Sequence, residues 1–472
     1  MIDGLLMRIK GGINSKLIVL ITVMCVTFSS FSFPISGAFA LSIRDEKKMG
    51  QEFLFQIRKH FEFADDDFAN KFFNDLGHYL IRPIDPKYFP FNFYIIKNKD
   101  LNAFAAPGGH VFFFSGLIEV MDSIDEMASV MCHELGHVSA RHVAQRIEQN
   151  KKITIATLAG VLAGILIGGP AAGAIIAGSQ AAGVQAQLNY SRDDERQADQ
   201  LGCKYTQLSC FDPKGMISTL QKLESGRFGP TLIPTYLLTH PTGPERMANL
   251  DSLLSDYRPG PPNREVERFR ALFPLFKTII RAKCLDPDEA ERLFKLELKK
   301  RPESSLAHLG LGIVYMKKSE ISEAKQHLEK ALEGYPEAIP ILTNLGEAYQ
   351  LSGQDKEAIR VLKKALNLDN GSKSTLYLLG ISYENLDQYN NSIHIFEKLA
   401  SVTPVKHEVY YHLGISYGRQ NRLMLAHYNF GLYFKKTGRR EKAKFHFRKA
   451  EDLSRNNPAL QEKIRQAMEE NL

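Results

Sequence analysis

The chain has 472 residues, 44% hydrophobic and 24% charged, a globular balance with room for two or three domains that each bury a core. A formal charge of +7 over this length, with no dense basic run and no basic–aromatic interleaving, argues against nucleic acid as a partner. Five cysteines without framework spacing argue against a small disulfide-held scaffold.

In chain order, Arg8, Lys10 and Lys16 precede an apolar run from Leu17 to Thr27, and "SGAFA" offers Ala38 and Ala40 at a cleavage site. This pattern predicts an export signal over residues 1–40 and a periplasmic location; an uncleaved anchor is the alternative. The run is short for a membrane span. Cys25 leaves with the signal, and Cys132, Cys203, Cys210 and Cys284 read as mostly buried small apolar residues.

Residues 41–255 mix strand and helix patterns. "FNFYII" (91–96) is rich in β-formers, and "NAFAAPGGHVFFFSGL" (102–117) is a second extended segment broken by Pro107, Gly108 and Gly109. Ser123 and Glu126 form an S-x-x-E capping box at the head of a helix. That helix carries "MCHELGHVSARH" (131–142). His133 and His137 lie one turn apart on one face and can reach one ion, with Glu134 close enough to act on a water there. A second helix begins near Ser191 with acidic residues in its first turn, where the helix dipole favours them. Its Glu195 and Asp199 also share a face, which lets Glu195 ligate a metal while Asp199 accepts a hydrogen bond from a ligand histidine. Taken alone, an acidic helix start needs no metal.

"DYRPGPPNR" (256–264) is rich in Pro and Gly and marks a domain boundary, with a linker expected over 256–268. Beyond it Gly312, Gly346, Gly380 and Gly414 recur every 34 residues, as do Tyr315, Tyr349, Tyr383 and Tyr417. Ala324, Ala358, Ser392 and Ala426 keep the register, followed by Leu328, Leu362, Phe396 and Phe430. Small residues where paired helices touch, at this period, are the tetratricopeptide signature and predict an all-α solenoid over 269–460 with a concave binding face. Ala290, Phe294 and Pro302 fit a degenerate earlier repeat, and Gly431, Phe434, Ala443, Phe447 and Ala450 restart the register after 17 residues.

"HELGH", "SRDDERQAD" and "THPTGPERM" together resemble the HtpX/CAAX-prenyl-protease-like family of zinc metallopeptidases, and within it an exported group bearing tetratricopeptide repeats. The resemblance runs from about residue 45 to the C-terminus. It implies an α+β zincin-type domain over 41–255, mostly helical with a small sheet, and a metalloendopeptidase holding one zinc ion per chain. His133, His137 and Glu195 become the ligands, Glu134 the general base and Asp199 the carboxylate behind a ligand histidine. His240 matches a family histidine near the metal that either caps the zinc in a latent state or stabilises the oxyanion; Arg246 matches a nearby arginine. Residues 102–109 match the edge segment beside the cleft, where an extended substrate adds as a strand.

The resemblance also implies unfolded or misassembled proteins as substrates and outer-membrane assembly machinery as the partner of the repeats. The rival reading is a latent protease that acts as an assembly chaperone. Finally, residues 153–187 are apolar, but His137 and Glu195 must meet at one ion, so the segment must return to the same side. A helical hairpin on the protease or on a membrane surface is expected ahead of a membrane hairpin.

Overall fold

The β-forming stretches at 91–96 and 102–117 build a three-stranded sheet of β1 (Asn92–Ile96), β2 (Ala103–Ala106) and β3 (His110–Phe114), in the order β1-β3-β2. The central β3 pairs in parallel with β1 and antiparallel with β2. Gly108 and Gly109 make the β2–β3 turn at φ 76° and 86°, a region that a β-carbon disfavours. This is a computed structural model, and it describes residues 41–149, 190–225, 234–454 and 457–469. The expected signal (1–40) and the apolar segment 153–187 lie outside the described residues. Among the described residues no helix is long and apolar enough to cross a membrane.

Aromatic side chains cover both faces of the sheet. On one, Phe112 stacks with Tyr94 and Phe104, each at 4.9 Å, under Phe53 of the Ile43–His60 helix. On the other, Phe113 meets Phe73 of the Asp67–Leu80 helix edge-on at 5.3 Å. β2 is an edge strand, yet all four of its residues are buried, and the side-chain amide of the preceding Asn102 is buried without a hydrogen-bond partner.

Two helices carry the predicted chemistry. The histidine helix, Ile124–Ser139, starts where expected: the Ser123 hydroxyl accepts from the Glu126 N–H. Only half of the capping box forms, because the Glu126 carboxylate accepts from the Asp122 N–H and pairs with Lys222 instead. The carboxylate helix, Arg192–Leu208, opens on a complete box between Ser191 and Asp194. Cys132 and Cys203 are buried free thiols, Cys284 is half-buried, and Cys210 is exposed in the turn after the carboxylate helix, contrary to the buried reading for that residue.

The expected linker over 256–268 ends early. Asn263 caps a helix, Arg264–Cys284, whose Phe269, Phe273 and Phe276 are buried. Phe72 of the Asp67–Leu80 helix stacks on Phe276 at 4.6 Å, and the Arg281 guanidinium bonds Glu119 at 2.7 Å. The Arg264–Cys284 helix thus belongs to the cores of both halves, and the apolar core runs through it without a break.

Helix pairs follow in the predicted phase, such as Ser305–Lys317 with Ile321–Gly334 and Ile339–Leu351 with Asp355–Leu368. The glycine spacing has a direct cause. A β-carbon on Gly312 or Gly346 would come within 2.5 Å of Leu328 or Leu362, and on Gly380 or Gly414 within about 2.8 Å of Phe396 or Phe430. The Leu423–Lys436 helix serves twice: Phe430 fills the Gly414 gap and Gly431 faces Phe447 of the Arg440–Leu453 helix.

Candidate metal centre

The histidine and carboxylate helices cross in close contact because each carries a glycine there. A β-carbon on Gly136 would meet the Ala198 carbonyl oxygen at 2.8 Å, and one on Gly202 would meet the His133 backbone at 2.9 Å. That approach brings His133, His137 and Glu195 to one point, and the short Thr235–Thr239 helix delivers His240 to the same point. All four side chains are buried, and their ligand atoms lie within 4.8 Å of one another.

The donor atoms stand near the spacing a metal requires. His133 Nε2 lies 3.1 Å from His137 Nε2 and 3.4 Å from His240 Nδ1. Glu195 Oε1 lies 3.4 Å from His137 Nε2 and 2.9 Å from His240 Nδ1. A tetrahedral ion with nitrogen and oxygen ligands at about 2.0–2.2 Å has donor–donor edges of about 3.3–3.6 Å; two of these separations reach that range and two, at 3.1 and 2.9 Å, fall just short, so a slight spreading of the donors admits a zinc-sized cation.

A second layer holds these donors. His133 Nδ1 lies 2.8 Å from Asp199 Oδ1, and Arg246 donates to both Asp199 oxygens at 2.9 and 2.8 Å while its Nη1 sits 2.5 Å from Glu195 Oε2. Burial opposes charge throughout. It is outweighed at Glu195, where His240 and Arg246 hold the carboxyl well below its usual range. It is outweighed also at His133, raised to about 9 by Asp199 and Glu195. At His137 burial wins and drives the imidazole well below its usual value.

Glu134 stands apart from the donors. Both of its oxygens are buried without hydrogen-bond partners, and His240 Nε2 is 3.5 Å from Oε1. Burial raises its carboxyl pKa, against the opposing pull of His240 and His133.

All six sequence-predicted residues therefore meet in one buried cluster. The structure adds neighbours that the sequence reading did not single out. Tyr190 stacks on the His137 ring at 3.8 Å, Tyr236 stacks on His240 at 4.4 Å, and His142 bonds His137. Of these, His142 had a visible signal, as the third histidine of the "HELGHVSARH" segment.

The glycine crossing gives a direct test of the packing. Gly202→Val should force the helices apart, cost about 1–3 kcal/mol as an overpacked core does, and weaken metal binding along with stability. Thermal melting with and without added zinc reads both; a variant with unchanged melting and unchanged metal response would remove the crossing from the account.

Residues 69–254 match the model of peptidase family M48, and residues 303–371, 374–406 and 425–457 match tetratricopeptide repeats. The chain is similar to the beta-barrel assembly-enhancing protease of Yersinia pestis, 34% identical over 229 residues, which are 48% of this chain and 47% of that one. The corresponding protein of Escherichia coli (strain K12) gives 34% over 228 residues, with the same two shares. A mitochondrial metalloendopeptidase, OMA1 of Schizosaccharomyces pombe, is 26% identical over 173 residues, 34% of this chain and 46% of that one. The matched region spans about half the length of these curated relatives. Among solved structures, a crystal structure of MamA overlaps 35% of this chain and 88% of its own, at 24% identity and a TM-score of 0.25. The buried donor cluster lies inside the matched peptidase region, and Gly312, Gly346 and Gly380 of the 34-residue register lie inside the matched repeats, so the chain joins a domain that matches peptidase family M48 to tetratricopeptide repeats.

Proposed function

We propose that the chain is a periplasmic zinc-dependent endopeptidase that hydrolyses misassembled or unfolded proteins in outer-membrane protein quality control, with the repeats holding protein partners. The observation that carries this reading is the convergence of four buried donors, their ligand atoms within 4.8 Å of one another, beside a buried glutamate whose oxygens have no hydrogen-bond partner. The name of the relatives, beta-barrel assembly-enhancing protease, supports a role in the assembly of barrel proteins.

His133, His137 and Glu195 would hold the zinc. When bound, zinc supplies a Lewis acid that lowers the pKa of water and polarises a carbonyl. Glu134 takes the proton from the attacking water on a carboxylate oxygen and returns it to the leaving amine. Burial raises its carboxyl pKa, which strengthens the carboxylate as a base. Asp199, clamped by Arg246, keeps the His133 ring in one orientation. The buried surroundings keep other water from competing for that proton.

A second reading is a protease at rest that serves mainly as an assembly chaperone. It is favoured by one observation: His240 brings a fourth donor to the cluster, and a fourth protein ligand closes a zinc site.

Purified chain from the periplasmic fraction should contain one zinc and cleave an unfolded outer-membrane barrel while sparing the folded one. Chelation should abolish cleavage and zinc should restore it. Cleavage that survives complete zinc removal would sink the metalloprotease reading.

A further inference from the structure

We propose that His142 is the positioning residue for the ligand His137, accepting its ring proton and so fixing the nitrogen offered to the metal. The inference rests on the reading that His133, His137 and Glu195 hold zinc. The two ligand histidines are supported differently. His133 has a charged partner, Asp199, at 2.8 Å. His137 has a second imidazole: its Nδ1 is 2.9 Å from His142 Nδ1, and His142 Nε2 is 2.9 Å from Gln197 Oε1.

These contacts admit one arrangement of protons that leaves His137 Nε2 bare. A neutral imidazole has one donor and one acceptor. The Gln197 carbonyl oxygen only accepts, so His142 donates from Nε2 and its Nδ1 is an acceptor. His137 must then carry its proton on Nδ1, which turns the Nε2 lone pair toward His133 Nε2 and Glu195 Oε1. Gln197, exposed at the surface, takes the His142 Nε2 proton that this arrangement requires.

The backbone is shaped to make this contact. His142 opens the His142–Gln149 helix just after Arg141, which has φ 56°, a conformation unfavourable for a residue with a β-carbon. Arg141 is held there by Glu46, with Nε 2.9 Å from Oε2. The turn folds His142 back onto the helix that precedes it and buries it to 1% exposure. Tyr190 stacks on the flat face of His137 while His142 grips its edge. A histidine that merely filled space would need neither bond in line.

Zinc affinity measured by chelator competition tests the relay without reference to turnover. His142→Ala should weaken zinc by about 10- to 100-fold, the usual range for an outer partner of a ligand histidine. His142→Asn places an amide oxygen where Nδ1 stood and should recover most of that loss. The visible spectrum of the cobalt(II)-loaded protein should shift in the alanine variant and return in the asparagine one. Unchanged affinity in His142→Ala, or equal losses in both variants, overturns the proposal. If His142→Ala does not fold, Gln197→Leu reads the relay from its other end: a severalfold loss is expected, and wild-type affinity overturns the relay. Wild-type protein that binds no stoichiometric zinc refutes the metal reading itself, an outcome separate from either.

Discussion

Glu134→Gln should keep the zinc site filled and the fold unchanged while slowing hydrolysis of an unfolded polypeptide by about 10²- to 10⁴-fold, the contribution of a positioned general base. The substitution is nearly isosteric and removes only the ability to take a proton. Glu134 is not among the donors, so metal content should not change. Its two oxygens have no hydrogen-bond partner to lose, so an amide in their place breaks no existing bond. Stability should therefore move little, which separates the catalytic effect from a folding one. Burial holds the carboxyl above its usual pKa, which makes the carboxylate a stronger base than a solvent-exposed glutamate. Equal cleavage by Glu134→Gln and wild type would end the enzymatic reading. Loss of zinc in the variant would instead make Glu134 a part of the metal cluster.

How much of this was legible in the sequence depends on how local each feature is. The repeats were legible because each unit repeats one contact: a glycine faces a large side chain 16 residues later, as Gly312 faces Leu328 and Gly380 faces Phe396. The donors were legible in pairs, since positions four apart on a helix share a face. What joined the pairs was not local. Gly136 and Gly202 permit the crossing, and nothing in their neighbourhood sets them apart from other helical glycines. His142 lay in plain view, but its role depends on a tight turn at Arg141 that propensity does not favour. The Arg264–Cys284 helix was hidden differently. The Pro/Gly-rich stretch marks where it begins, and Pro274 inside it discourages a helical reading. Only tertiary packing, with Phe72 and Phe73 stacked on Phe276, shows that it joins the core of the peptidase side to that of the repeats.

His240→Ala should raise hydrolysis, and the size of the rise measures how firmly the site is closed. A catalytic zinc site keeps one position open, whereas four protein ligands make a closed site. Here His240 Nδ1 stands 2.9 Å from Glu195 Oε1 and 3.4 Å from His133 Nε2, in line with the other donors, and the ring is fully buried beneath Tyr236. The loop behind it has the parts of a hinged strap. Pro241 and Pro244 stiffen it, and a β-carbon on Gly243 would touch nothing within 4 Å, so the strap has room to swing there. If closed and open forms stand at about 10:1 to 100:1, freeing the fourth position raises turnover about ten- to a hundredfold. Self-cleavage on storage should rise in parallel, since an open nonspecific site meets its own chain first. The competing role for His240, donation to the oxyanion, predicts the opposite sign: removing one such donor costs about 10²–10³-fold in rate. Zinc content decides between the two failures. An inactive His240→Ala that retains zinc rules out the strap. A variant that loses zinc shows His240 to be needed to hold the metal, which also rules out a dispensable fourth ligand. The strap requires the remaining outcome: zinc retained on His133, His137 and Glu195, with hydrolysis faster than wild type.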